Sequence, residues 1–99
     1  MSYIFGTTTS DEQSASAAIM ARPGFLHGFE LLPPLLGTST LKIYDNAAVA
    51  TGKLVAEATV AAGQNSMWLN FSSPRVLNQG CYASLSGSAT TYIVSFSLG

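Results

Sequence analysis

The chain carries one histidine, His27, and one cysteine, Cys81, so a Ser-His-Asp or Cys-His relay would have to be assembled around those two side chains. No Gly-x-Ser-x-Gly elbow accompanies them, because Gly87-Ser88 lacks its partner glycine in register. A zinc site needs three or four ligands, and His27 with Cys81 provides two at most. The carboxylates Asp11, Glu12, Glu30, Asp45 and Glu57 are too few and too dispersed for a calcium loop or for the paired acids of a glycosidase. Asp45-Asn46 reads as turn chemistry, in which side chains hold nearby backbone groups. Phosphate-cradling glycine patterns are absent from the sequence. His27, set among Phe25, Gly28 and Phe29, reads as a structural histidine. Cys81, in Gly80-Cys81-Tyr82-Ala83-Ser84-Leu85, reads as a small buried hydrophobe on a strand. These residues predict a non-enzymatic protein that uses no cofactor and no metal.

With catalysis set aside, the surface becomes the informative quantity. Charged residues make up 9% of the 99 residues, against about 25% in an ordinary soluble domain. A folded chain of this size exposes on the order of 5,400 Å², which leaves one charge per roughly 600 Å². Ser, Thr, Asn, Gly, Ala and exposed apolar groups must cover the rest, and large uncharged areas mark contact with another protein. Persistent assembly is therefore expected, the other reading being a surface solvated by hydroxyls and amides as in extracellular β domains. Arg22, Lys42, Lys53 and Arg75 are scattered singly and form no basic stripe, which argues against nucleic acid as a partner. There is no cationic n-region with an apolar h-region behind it, and no run of 18 apolar residues, so neither Sec targeting nor a membrane span is predicted. A single cysteine rules out an intramolecular disulfide, and together these features favour synthesis in a reducing cytoplasm.

The elements that would position the remaining side chains read as strands. Residues 1–23 stand apart in composition, polar and small from Thr7 to Ala18, and are expected to form an N-terminal arm. It is either extended or a short helix capped by Ser10 with Asp11 and Glu12 in its first turn. Tyr3, Ile4 and Phe5 make an apolar cluster at its tip, suited to docking on the domain or on a neighbour. From residue 24 to 99 the pattern is β. Phe25, His27, Phe29 and Leu31 alternate with Leu26, Glu30 and Leu32 until Pro33-Pro34. Leu41 and Ile43 oppose Lys42 and Tyr44 before the Asp45-Asn46 turn, and Leu54, Ala56, Ala58 and Val60 share a face in the next run. Met67, Leu69 and Phe71 form a further face, broken at Ser72-Ser73-Pro74. Short runs at 75–77 and 81–85 flank Asn78-Gln79-Gly80, and 91–98 closes the chain. Short runs with turn signals about every ten residues predict an all-β fold, a single antiparallel β-sandwich of jelly-roll or Ig-like kind. The expected core is Phe29, Leu31, Leu41, Ile43, Leu54, Val60, Leu69, Phe71, Leu85, Tyr92, Val94 and Phe96. Trp68 and Tyr44 fall opposite their core-facing neighbours. If exposed, they could stack on a sugar or anchor a protein interface; under a second sheet, Trp68 would be ordinary core.

The segments Leu41-Lys42-Ile43-Tyr44-Asp45-Asn46-Ala47-Ala48, Gly52-Lys53-Leu54-Val55-Ala56-Glu57, Val60-Ala61-Ala62-Gly63-Gln64, Asn70-Phe71 and Gly80-Cys81-Tyr82-Ala83 resemble small β-sandwich proteins of tailed bacteriophage virions. The resemblance spans roughly residues 37 to 98 and leaves out the arm. It implies a capsid decoration (cement) protein, a homotrimer on the outer capsid surface of the virion. Its partner would be the major capsid protein, contacted through the Tyr3-Ile4-Phe5 arm and the uncharged faces. A neck, tail or fibre subunit is an alternative within the same resemblance. A receptor- or glycan-binding head module using Trp68, Tyr44 or Tyr82 is another.

Overall fold

The computed structural model describes residues 8–10 and 13–98. Eight strands run in chain order: β1 (Thr8–Thr9), β2 (Ala17–Met20), β3 (Gly24–Leu31), β4 (Thr38–Asp45), β5 (Lys53–Ala61), β6 (Met67–Leu77), β7 (Cys81–Gly87) and β8 (Tyr92–Leu98). They form two four-stranded sheets, β1-β8-β3-β6 and β2-β7-β4-β5, in which every pairing is antiparallel. The first four strands pair with the last four in reverse order: β1 with β8, β2 with β7, β3 with β6, β4 with β5. This is the order obtained by folding the chain into one long antiparallel ribbon and rolling it, and it selects the jelly roll over the Ig-like split of strands.

β1 and β2 bring part of what reads as an arm into the sheets. Ser10 N–H donates to the Val94 carbonyl at 2.8 Å and its hydroxyl accepts from Val94 N–H at 2.9 Å. Gln13 and Tyr92 exchange both backbone hydrogen bonds at 2.9 Å. The Tyr92 hydroxyl donates to the Ala15 carbonyl at 2.7 Å, and Met20 enters the core at 5% exposure. With these backbone groups satisfied by β7 and β8, the short helix does not form among the described residues of this segment. The sandwich begins at β1 and not at residue 24.

Two bulges explain where strict alternation misleads. In β3, Leu26 pairs with Phe96 and Gly28 with Ser95, so His27 is an extra residue and the facing of the strand reverses there. Leu26 consequently points inward with Phe29 and Leu31, while Phe25 is exposed. In β5, Ile43 pairs with Ala56 and Tyr44 with Leu54, leaving Val55 as the extra residue. Leu54 therefore joins Tyr44 on the outer face at 44% exposure, which removes it from the expected core. β6 is one strand and not two, since Phe71 to Pro74 bow out opposite the single residue His27. Proline is tolerated because β6 is an edge strand.

The core joins Leu26, Leu31, Leu41, Ile43, Val60, Leu77, Tyr92 and Val94 with Met20, Phe29, Ala58, Cys81 and Ala83. Leu69, Phe71, Leu85 and Phe96, expected inside, are half-buried and pack against its margin. Burial pushes the Cys81 thiol up to about 12, with the nearby Asp45 charge adding to the effect, which favours the protonated thiol at neutral pH. Asp45 closes the far end of the sandwich. Its carboxylate accepts backbone N–H groups from Asn78 at 3.0 Å, Gln79 at 2.8 Å and Gly80 at 3.4 Å, tying the end of β4 to the β6–β7 turn. Burial works against its charge, but these donors and Lys53 outweigh it and hold the carboxyl below its ordinary value. Asn46 does the local turn work, its Oδ1 accepting from Ala48 and Val49 N–H.

Truncating Leu41 to Ala is expected to cost about 2–5 kcal/mol, whereas Leu54→Ala should stay within about 1 kcal/mol; urea unfolding of the two variants checks the facing of β4 and β5. Asp45→Asn is expected to remove about 1–3 kcal/mol at pH 7 by under-satisfying buried amides. Because the folded carboxyl is depressed, this stability is present above the unfolded pKa of about 3.9 and lost as pH falls through the lower folded value. Thermal melts should accordingly show wild type and variant converging in strong acid.

Candidate interaction surface

The outer face of the β1-β8-β3-β6 sheet holds two neighbouring rungs. Trp68, Glu30 and Ile93 form one, and Asn70, Gly28 and Ser95 the next. Gly28 adds no side chain, so the middle of its rung is open and a cleft of about 230 Å³ lies among Phe29, Glu30, Trp68, Asn70, Ile93 and Ser95. Glycine is required there for a separate reason. A Cβ on residue 28 would stand 2.1 Å from the Leu69 carbonyl oxygen, because the edge strand comes in close beside the His27 bulge. His27 itself turns to Ser97, with 2.8 Å between Nε2 and Oγ, and does not line the cleft.

The electrostatics of the cleft are one-sided. Glu30 is half-buried, and its side chain makes no hydrogen bond or ion pair among the described residues. Among the described residues no cation lines the cleft. Arg75 lies 4.6 Å over the Phe71 ring and donates to the Val55 carbonyl at 3.4 Å, bridging the two sheets at their β5 and β6 edges. Lys42 sits in register with Glu57, and Lys53 with Asp45, on the other sheet. Trp68, the only tryptophan, is 64% exposed and forms one wall.

A second apolar feature lies at the same end of the sandwich. After Pro33-Pro34, Leu35 is 96% and Leu36 80% exposed. The turn beneath them is tied down: Thr90 Oγ1 donates to the Leu32 carbonyl at 2.6 Å, Leu32 N–H to Thr91 at 3.1 Å, Ala62 N–H to Gly37 at 2.8 Å and Ser88 N–H to Thr38 at 2.9 Å. Two leucines thus project from a fixed base into solvent, an arrangement that favours burial against another surface.

The structure places Trp68 outside, as one of the two sequence readings had it. Tyr44 is half-buried on the outer face of the opposite sheet, in register with Leu54 and Tyr82. Trp68 and Tyr44 therefore lie on opposite faces and make no common site. Tyr3, Ile4 and Phe5 lie outside the described residues. Glu30, Asn70, Ser95, Leu35 and Leu36 were not singled out from sequence. The leucines could have been, since two large apolar residues between a proline pair and Gly37 have no strand to bury them. The three polar residues could not, since they converge only through cross-strand pairing. Among the described residues no three of His, Cys, Asp and Glu group as a metal site, and no helix is long and apolar enough to cross a membrane. No protein-family model, curated protein or solved structure matches the chain.

Gly28→Ala tests the close approach that opens the cleft. The added methyl is expected to lower stability by about 1–3 kcal/mol through overpacking against Leu69, which is about 4–8 °C of melting temperature per kcal/mol in a domain of this size. An unchanged melting temperature would show that β6 does not lie this close to β3.

Proposed function

We propose that the protein is a non-enzymatic structural component of a tailed-bacteriophage virion. In this reading it is a capsid decoration (cement) protein that binds the outer shell as a homotrimer, over junctions between major capsid subunits, and stabilises it. The observation that carries the proposal is the pair Leu35 and Leu36, held almost fully exposed on a hydrogen-bonded turn of a charge-poor jelly roll. Burying a leucine side chain contributes about 1.5–3 kcal/mol. A rigid base spares the ordering entropy that a mobile loop would lose on docking. Contacts of this modest size become effective when repeated over a lattice of copies. The Tyr3-Ile4-Phe5 arm would add further shell contacts. Jelly rolls occur in viral capsid proteins, which agrees with the reading as fold-level analogy, but the same fold serves lectins and cupins. Neither nucleic acid nor membrane is a partner in this proposal. Synthesis takes place in the host cytoplasm and the protein resides on the virion.

One observation favours a second reading. An exposed Trp68 beside Glu30, Asn70 and Ser95 has the make-up of a sugar-stacking platform, as a receptor-binding head module would need. A neck, tail or fibre subunit shares the surface chemistry of a cement protein and differs in copy number.

Quantitative mass spectrometry of purified particles is expected to find the chain in fixed high stoichiometry with the major shell protein. Leu35→Ser with Leu36→Ser should release it from shells while leaving its own unfolding within about 0.5 kcal/mol, since both side chains are exposed. A handful of copies per particle would overturn the decoration role in favour of neck, tail or fibre.

A further inference from the structure

We infer that the Trp68–Glu30 cleft is completed by Arg22 of a second copy of this chain, making the homo-oligomer a heterologous, head-to-tail assembly. The inference rests on the self-association that the decoration reading includes, and assigns the residues that mediate it.

Of the two arginines, one is already engaged and the other is free among the described residues. Lys42 faces Glu57 and Lys53 faces Asp45 in strand register, while Arg75 is held over Phe71 and against Val55. Glu30 stands in register with Trp68 and Ile93, away from any charge on its rung, and Arg22 lies in a turn; neither makes a hydrogen bond or ion pair among the described residues. They cannot meet within one molecule. Arg22 lies in the turn before β3 and Glu30 near the end of β3, so a rise of about 3.3 Å per residue puts them roughly 25 Å apart, at opposite ends of the sandwich.

The cleft suits a guanidinium. A carboxylate is stabilised by an opposite charge more than by a neutral hydroxyl. Trp68 offers the ring face on which arginine stacks. Guanidinium carries only donors, and the cleft offers acceptors. Glu30 contributes its carboxylate and Ser95 its hydroxyl, while Asn70 Oδ1 lies 3.0 Å from where a Gly28 Cβ would stand and so leans over the gap. The volume of about 230 Å³ is below the range of about 300–1,000 Å³ usual for free small-molecule ligands and suits a single side-chain head. Arg22 is exposed in the turn between Ala21 and Pro23, both also exposed. Because turn and cleft are different patches, the contact is heterologous, and a rotation that closes yields a ring such as the proposed trimer.

Light scattering on the purified chain tests this directly. The wild type is expected to be oligomeric, with Arg22→Glu and Glu30→Arg each weakening association at least about tenfold, as loss of an interfacial charge pair does. The double reversal should restore association, and Trp68 emission should shift on assembly. Unchanged melting temperatures would show that the single variants still fold. A monomeric wild type, reversals without effect, or a double variant that stays apart would each overturn the assignment. Two monomer outcomes would reassign the cleft. Shell binding lost in Glu30→Arg would move the arginine to the shell subunit, and Trp68 emission responding to N-acetylglucosamine would make the cleft a saccharide site. An oligomer that behaves as expected yet is missing from virions would uphold this inference and overturn the decoration reading.

Discussion

Gly28 occupies a point where the Leu69 carbonyl oxygen approaches to 2.1 Å from the place a Cβ would fill, and much of the β1-β8-β3-β6 sheet depends on that closeness. Beside it His27 is the extra residue of a bulge, so Leu26 and Phe29, three positions apart, both point inward out of simple alternation and Leu26 is delivered to the core. The same absence of a side chain leaves the outer face open between Asn70 and Ser95. One backbone requirement thus sets the facing of the central strand, the packing of an edge strand with a proline in it and the shape of the cleft. Bulges next to functional surfaces commonly re-aim side chains in this way.

The two ends of the jelly roll are made firm by different chemistry. At one, the Asp45 carboxylate gathers three amides of the β6–β7 turn. At the other, carbonyls and hydroxyls of the β3–β4, β5–β6 and β7–β8 turns hold one another through main-chain and threonine hydrogen bonds. With little charge to spread over the surface, this polarity is spent inside the turns, and the apolar side chains Leu35, Leu36 and Trp68 are left outside.

The strand inventory was readable because alternation and turn residues are local properties. Leu41 and Ile43 against Lys42 and Tyr44 follow from period two alone, and the turn at Asn46 from local side-chain hydrogen bonding, whereas the Asp45 contacts to residues 78–80 do not. Alternation failed where a bulge inserts a residue, at His27 and at Val55, since nothing in the local composition announces that the partner strand skips a position. It failed also for residues 8–20. A two-residue and a four-residue strand carry too little pattern to be seen, and their stability comes from β8 and β7, far along the chain.

The sequence by itself determined the fold class, the burial of Cys81, the local turn role of Asn46 and the scarcity of charge. Those properties depend on residue type and on neighbours within a few positions. Only the tertiary structure decided between jelly roll and Ig-like order, placed Trp68 outside and set it apart from Tyr44, and brought Glu30, Asn70 and Ser95 around Gly28. Each of these is a matter of register between strands distant in sequence, where a shift of one residue carries every side chain to the other face.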